Sequence, residues 1–232
     1  MNRSSIEWTD YTWNPVTGCH HGCPYCYARR LAEGRLKGRF GYENGFEPTF
    51  HQNRLTEPSR VKKPSKIFTC SMGDLFGEWV PRQWINSVLI YIKANPQHQF
   101  QILTKNPARM ARWRNIPENA WLGTSVDGLG DSMRRVQIIR EAPFNGNIRF
   151  VSFEPLLADV ANMDEWRMGY NTDGIDWVII GAQTGPKAVE PRPDWVKNIM
   201  FDCEWAGIPF FLKDNVPWLG SRPQEFPDSD LR

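Results

Sequence analysis

Short apolar runs recur along the chain, and each is followed by polar or glycine-rich residues. Intervening segments carry apolar residues at helical spacing, as Trp84, Val88, Leu89 and Ile92 do. Strands that alternate with helices pair in parallel, because each crossover helix covers the sheet. The runs lie at 67–70, 100–104, 121–125, 148–152, 177–181 and 209–213, and a further short strand is predicted just before Cys19. The pattern predicts an α/β fold, a partial (β/α)6-type TIM-like barrel with parallel strands, in which residues 1–232 form a single domain.

Polar side chains follow several of these predicted strands. They are Ser71, Asp74, Lys105, Ser125, Glu154, Gln183 and Lys213. In parallel barrels the active groups lie on the loops after the carboxyl ends of the strands. We therefore expect these side chains to line one pocket.

The cysteine content indicates the cellular compartment in which the protein works. Five cysteines are an odd number, and three of them lie within eight residues. This is a poor framework for disulfides and favours a metal or cluster site in a reducing environment. Because the sequence lacks eighteen consecutive apolar residues and an apolar leader after Met1, it predicts no membrane span and a cytoplasmic protein.

Positive charge is concentrated in a loop-rich excursion at about residues 34–66. Between residues 29 and 66 there are ten Lys or Arg and four Asp or Glu, so the local charge is +6, against +2 for the whole chain. Residues 105–114 add four Lys or Arg and no acid. This asymmetry predicts a polyanionic partner, and the alternative is a solvated basic face. The excursion is expected to lie outside the core and to contact phosphates through Arg54, Arg60, Lys62, Lys63 and Lys66.

Cys19, Cys23 and Cys26 have the spacing C-x3-C-x2-C. Three thiolates on one loop can each bind one iron of a [4Fe–4S] cluster, whereas ordinary electron-transfer clusters have four cysteine ligands. The fourth iron is then open to the amino and carboxylate groups of S-adenosylmethionine, whose reductive cleavage gives a 5′-deoxyadenosyl radical. The alternative is a Cys3His zinc site that uses His20 or His21.

These cysteines, with Tyr25 before the last of them, resemble the signature of the radical S-adenosylmethionine superfamily. From about residue 6 to residue 213, the chain also resembles a phage-associated family of three-cysteine-motif proteins without an assigned function. The resemblance is carried by residues 6–10, 13–19, 26–28, 71–76, 103–105, 152–157 and 177–181. The chain departs from that family at residues 181–185, where Gly-Ala-Gln-Thr-Gly replaces a Gly-Gly-Glu-Ser-Gly run and Gln183 replaces the glutamate.

The resemblance implies a [4Fe–4S] cluster on the three cysteines and bound S-adenosylmethionine. The residues expected to bind this cofactor are Tyr25, Ser71, Gly73, Asp74, Thr124, Ser125, Glu154 and Gln183. Asp74 would accept a charge-assisted hydrogen bond from the methionine ammonium group, and its alternative role is a helix cap. Thr124 and Ser125 would contact the ribose or the methionine carboxylate, and the alternative is that their hydroxyls form a turn.

Three residues are predicted to act in catalysis. Cys70 ends a predicted strand and its residue type favours a small buried hydrophobe; the alternative is that it returns a hydrogen atom to a product radical. Glu154 precedes Pro155, which favours an extended backbone and places the carboxylate at the barrel mouth. Its alternative role is a structural ion pair. Lys105 is expected to face the substrate, as is Lys213.

The basic segments and the phage association favour a nucleic acid, DNA rather than RNA, or a nucleotide as substrate. The predicted reaction modifies or isomerises a nucleic-acid base or a nucleotide, such as a hypermodified thymidine in phage DNA. Two alternatives are a radical enzyme for a peptide or small metabolite, and a zinc-stabilised nucleic-acid-binding module without catalysis. A radical enzyme would also need an electron donor such as flavodoxin or ferredoxin, and a phage-encoded one would act in the host cytoplasm.

Overall fold

The computed structural model describes residues 1–144, 146–161, 163, 166 and 174–228. Its strands are β1 (Asn2–Arg3), β2 (Tyr11–Trp13), β3 (Val16–Thr17), β4 (Thr49–Phe50), β5 (Lys66–Thr69), β6 (Gln99–Thr104), β7 (Ala120–Val126), β8 (Arg149–Phe153), β9 (Trp177–Ile180) and β10 (Phe210–Leu212). Its helices are α1 (Tyr27–Glu33), α2 (Arg82–Lys93), α3 (Pro107–Ala111), α4 (Arg134–Glu141) and α5 (Pro193–Ala206). None of the described helices combines the length and apolar character needed to cross a bilayer. The chain divides into two compact units, residues 1–121 and 122–232.

The first unit contains a sheet in the order β1-β2-β5-β6. Strands β2, β5 and β6 run parallel, and β1 pairs antiparallel with β2. The core residue Trp13 lies opposite Thr69 in the register and packs edge-on against Phe100, with 5.6 Å between the ring centroids. Helix α2 buries Ile85, Val88, Leu89 and Ile92, which form the apolar stripe of an amphipathic helix.

The second unit contains strands in the order β7-β8-β9-β10, and neighbouring strands are parallel. All four residues of β9 are buried, as expected for a parallel strand covered on both faces. Helix α5 begins at Pro193, whose missing N–H costs nothing at a first turn. It ends at Gly207, whose left-handed φ of 66° closes the helix.

The predicted fold class is confirmed: the chain is α/β with a mostly parallel arrangement of strands, as in a partial (β/α)6-type barrel. Each of the six apolar runs coincides with a strand to within one residue at either end. The strand just before Cys19 differs from the prediction, because β3 pairs antiparallel with β4 and the parallel strand is β2. That residues 1–232 form one domain stays a prediction.

Part of the basic excursion is buried, so the prediction that it lies wholly outside the core is wrong. Tyr42 and Phe46 form a small hydrophobic cluster with Met72 and with two alanines of α1, Ala28 and Ala32. The side chains of Cys19 and Cys26 pack against this cluster. The polar composition of the excursion concealed these aromatic residues, and burying them offsets the cost of ordering the loop.

Gly18 lies where two backbone segments approach closely. Its amide donates to the Met72 carbonyl at 2.9 Å, and it forms a parallel bridge with Gly73. The φ of Gly18 is 86°, and a Cβ at this position would lie 2.4 Å from the carbonyl carbon and oxygen of Glu47. Only glycine fits there, so this residue fixes where the three-cysteine segment leaves the core.

We expect Gly18→Ala to destabilise the protein more than Gly22→Ala. Both glycines have positive φ, and a left-handed backbone costs an alanine about 1–2 kcal/mol. A Cβ at Gly22 would meet nothing within 4 Å, whereas at Gly18 it would overlap backbone atoms. Urea unfolding of the two variants should therefore show a clearly larger loss for Gly18→Ala, and equal losses would contradict the close approach.

Candidate active site

The three cysteines lie on a loop that leads into α1. Cys26 is the N-cap of α1, and its Sγ accepts a hydrogen bond from the Arg29 amide at 3.3 Å. The Cys26 amide donates to the Cys23 carbonyl at 3.2 Å, and the Cys19 amide donates to the Phe46 carbonyl at 3.2 Å. The Arg29 guanidinium donates to the Cys19 carbonyl at 3.1 Å. Backbone contacts therefore hold both ends of the loop, and the three thiols are half-buried.

The donor set of this loop fits a [4Fe–4S] cluster. Burial raises the pKa of the Cys19 thiol to about 12; a hydrogen bond from the His21 backbone lowers it, and negative charge on Asp74, Cys23 and Cys26 raises it. A bound metal overcomes this repulsion, because it deprotonates a coordinating thiol. Among the described residues, no three His, Cys, Asp or Glu side chains converge on a single metal ion. A cubane does not require such convergence, since each thiolate binds a different iron.

Asp74 is a buried carboxylate, 4% exposed, whose two oxygens have four partners. Oδ1 accepts hydrogen bonds from Thr104 Oγ1 at 2.7 Å and from the Phe76 amide at 3.0 Å. Oδ2 accepts one from the Lys105 amide at 2.9 Å and lies 2.7 Å from His21 Nε2. Burial raises the pKa of Asp74, but the hydrogen bonds and the charge of His21 outweigh it, so the pKa is lowered overall. The predicted contact of Asp74 with an ammonium group stays a prediction.

His21 connects the cysteine loop to Asp74, which the sequence analysis did not anticipate. The His21 ring also meets the edge of Trp79, with 4.8 Å between the centroids. Neighbouring His20 lies 3.1 Å from Glu47 Oε2 and 5.2 Å from the Trp79 ring. Spacing could not reveal the His21–Asp74 pair, because 53 residues separate its members.

Lys105 is fixed beside the cysteine loop. Its Nζ lies 3.2 Å from Cys23 Sγ, 2.5 Å from the Tyr25 hydroxyl and 4.7 Å from the centre of the Tyr25 ring. The next residue, Asn106, caps α3 by accepting a hydrogen bond from the Arg109 amide at 3.3 Å. An ammonium group at this distance stabilises negative charge on sulfur, so Lys105 complements the thiolates electrostatically.

Cys70 follows β5 and has a φ of 60°, a left-handed conformation that residues other than glycine seldom adopt. Its side chain is 4% exposed. Burial raises the pKa of the Cys70 thiol to about 12; a hydrogen bond from the Val16 backbone lowers it, and the charge of Asp74 raises it. Cys70 therefore keeps its S–H bond at neutral pH.

Ser71 and Gly73 lie on the same turn as Cys70. The Ser71 hydroxyl lies 3.2 Å from the Asn14 side-chain nitrogen, and the Ser71 carbonyl accepts a hydrogen bond from the Tyr27 hydroxyl at 2.5 Å. The Gly73 amide donates to the Cys70 carbonyl at 3.0 Å. Asn14 and Tyr27 thus join the site although the sequence analysis did not select them; each lies in a segment that carried the family resemblance.

The second unit contains the other predicted cofactor ligands. Thr124 and Ser125 are buried in β7, and the Ser125 carbonyl accepts a hydrogen bond from the Arg135 guanidinium at 2.9 Å. Gln183 lies after β9, and its Oε1 accepts a hydrogen bond from the Val189 amide at 3.4 Å. The predicted cofactor contacts of all three stay predictions.

Glu154 and Lys213, which follow β8 and β10, form an ion pair in the second unit. A Cβ on Gly181, which follows β9, would lie 3.0 Å from Glu154 Cγ and from Lys213 Cδ. The absent side chain of Gly181 therefore leaves room for the pair. This arrangement matches the ion-pair alternative for Glu154, and its catalytic role stays a prediction.

We expect Asp74→Asn to destabilise the protein by about 1–3 kcal/mol at neutral pH, because the amide cannot accept all of the bonds that the carboxylate accepts. A lowered pKa gives stability that is present above the usual aspartate value of about 4 and is lost as the pH falls through the folded value. The difference from the unsubstituted protein should therefore shrink below about pH 4 in urea unfolding. Asp228→Asn, at an exposed position, is the control. A pH-independent difference would contradict the ionised anchor.

The fold is similar to that of solved structures of spore photoproduct lyase. The complex with dinucleoside spore photoproduct has a TM-score of 0.53 and 11% identity, over 87% of this chain and 62% of that chain. A cysteine-to-serine mutant has a TM-score of 0.56 and 10% identity, over 91% of this chain and 78% of that chain. A double mutant with bound AdoMet and dinucleoside spore photoproduct has a TM-score of 0.50 and 11% identity, with the coverage of the first complex. At such identities the likeness concerns the fold alone.

This chain thus spans less than two thirds of the lyase chain in the first of those complexes. A search of curated proteins gave no match. A family profile, described as "Protein of unknown function (DUF5131)", matches residues 3–225. Because this match covers nearly the whole sequence, including all three cysteines of the loop, the protein belongs to the DUF5131 family.

Proposed function

We propose that the protein is a radical S-adenosylmethionine enzyme that modifies or isomerises a base of a nucleic acid, with DNA as its substrate. The observation that carries the proposal is the loop of three half-buried thiols beside the Lys105 ammonium group. A purely structural loop would not need three free thiols and a neighbouring cation. The fold likeness to a lyase with structures that hold AdoMet and a dinucleoside agrees with this function.

When bound to Cys19, Cys23 and Cys26, the cluster supplies the electron that cleaves S-adenosylmethionine to methionine and a 5′-deoxyadenosyl radical. The protein's own groups prepare this chemistry. Asp74 orients the loop through His21, and Lys105 offsets the negative charge of the thiolates. The apolar cluster of Tyr42, Phe46 and Met72 excludes water from one side of the loop. The electron would come from a donor such as flavodoxin or ferredoxin.

Cys70 is suited to donate a hydrogen atom to the substrate radical. Its thiol stays protonated at neutral pH, and its strained backbone is the kind of feature that clusters at functional sites. Transfer would break the S–H bond, form a C–H bond on the product and leave a thiyl radical. One electron from the external donor and one proton would then restore the thiol. A hypermodified thymidine of phage DNA is one nucleoside on which such a reaction could operate.

We expect alanine at Cys19, Cys23 or Cys26 to abolish iron binding and S-adenosylmethionine cleavage together. Each thiolate holds a separate iron, so losing any one leaves the cluster incomplete. Iron, sulfide and 5′-deoxyadenosine should be measured after anaerobic reconstitution. Cys203→Ala, which removes a buried cysteine of α5, is the matched control and should retain all three. Zinc without sulfide in the unsubstituted protein would refute the proposed chemistry.

We expect Cys70→Ala to keep the iron and the cleavage of S-adenosylmethionine but to lose the normal product, because the substrate radical no longer receives its hydrogen atom. Cells in which the gene has been deleted should be complemented with the unsubstituted gene, with Cys70→Ala or with Cys203→Ala. Mass spectrometry of their DNA nucleosides should then show the modified nucleoside with the unsubstituted gene and with Cys203→Ala, but not with Cys70→Ala. If Cys70→Ala still gave the modified nucleoside, Cys70 would serve only in packing.

A further inference from the structure

We infer that residues 34–42, called here the Phe40 turn, form a contact surface for a DNA strand, with the Phe40 ring stacked on a base. This inference rests on the proposed function and extends it, because it makes the substrate a polymer rather than a free nucleotide. Phe40 is 74% exposed, although burial of a phenyl ring is normally favourable. Its φ is 54°, a conformation that is costly for a bulky residue.

The exposure of Phe40 is built into the fold. Arg54 Nη2 donates to the Phe40 carbonyl at 2.6 Å, and Arg54 Nη1 donates to the Asn14 carbonyl at 3.1 Å. Trp13 Nε1 donates to the Arg54 carbonyl at 2.8 Å. A chain of hydrogen bonds therefore holds the backbone of Phe40 against the core strand β2, while its ring faces solvent. The Arg54 guanidinium therefore anchors the turn, and its predicted contact with phosphate stays a prediction.

The neighbouring residues fix the turn further. The Gly38 amide donates to the Tyr42 carbonyl at 2.9 Å, and the Tyr42 side chain is buried in the cluster beneath the cysteine loop. A Cβ on Gly41 would lie 2.6 Å from Arg54 Nη2, so glycine is needed for this anchor. Because these contacts already order the backbone of the turn, a DNA strand would not have to order it on binding.

The charge around the ring identifies the partner. The turn carries Arg35, Lys37 and Arg39, all exposed, and contains no acid. The two acids that flank it have local partners: Glu33 pairs with Arg29 at 2.9 Å, and Glu43 accepts a hydrogen bond from the Gly41 amide at 3.2 Å. Three exposed cations on the same turn as an exposed aromatic ring match a strand whose phosphates bind the cations and whose bases stack on the ring.

Fluorescence anisotropy with a labelled twelve-nucleotide oligothymidylate tests this surface. Phe40→Asn removes the ring and suits a positive φ, whereas Phe40→Trp keeps an aromatic face. Loss of one stacked base should weaken binding about five- to a hundredfold with Phe40→Asn, and Phe40→Trp should restore it. Phe201→Asn, at a phenylalanine that is 67% exposed on α5, is the matched control and should bind as the unsubstituted protein does.

Replacing Arg35, Lys37 and Arg39 together with glutamine should make the slope of log affinity against log salt shallower, by about 0.7 for each lost contact on a single strand. Unchanged affinity with Phe40→Asn, or equal competition by polyglutamate, would overturn the inference. Cleavage of S-adenosylmethionine by the unsubstituted protein tests the proposed function separately. If that cleavage occurs while the Phe40 variants bind normally, only the surface is wrong. If it is absent while those variants lose oligothymidylate, only the enzyme chemistry is wrong.

Discussion

A carboxylate can be buried only if hydrogen bonds and opposite charge replace the water that it loses. Asp74 meets that requirement with partners from three segments: His21 of the cysteine loop, Thr104 and Lys105 at the end of β6, and Phe76 of its own turn. If any of these segments shifted, the buried carboxylate of Asp74 would lose a hydrogen-bond partner. The positions of the cysteine loop, Lys105 and the turn that carries Cys70 are therefore coupled through one side chain.

The other contacts around the cysteine loop also hold it in place. The small cluster beneath it holds Cys19 and Cys26 from below, and the close approach of Gly18 to Gly73 joins its start to the turn after β5. Cys26 is both a candidate cluster ligand and the N-cap of α1, so α1 and the basic turn that follows it are oriented by the same residue. Cofactor chemistry and substrate contact would in this way depend on one short stretch of chain.

The sequence was most informative where the physical cause is local. Apolar runs such as 100–104 and 177–181 predicted β6 and β9 closely, because burial between covering helices requires continuous apolar residues. The cysteine spacing likewise identified the candidate ligands. The His21–Asp74 and Glu154–Lys213 pairs could not be paired from spacing, since each joins residues more than fifty positions apart. The anchoring role of Arg54 was missed because a charge count cannot distinguish an arginine bonded to carbonyls from one that faces solvent.

In the proposed function, Cys19, Cys23 and Cys26 hold a [4Fe–4S] cluster that leaves one iron open to S-adenosylmethionine. Electron–nuclear double resonance of the anaerobically reduced protein, with S-adenosylmethionine labelled by 15N at its amino group and 17O at its carboxylate, tests this most directly. We expect hyperfine coupling of both labels to the cluster, because both groups would bind the open iron. A reduced cluster without coupling to either label, or a protein that binds zinc and no iron, would contradict it.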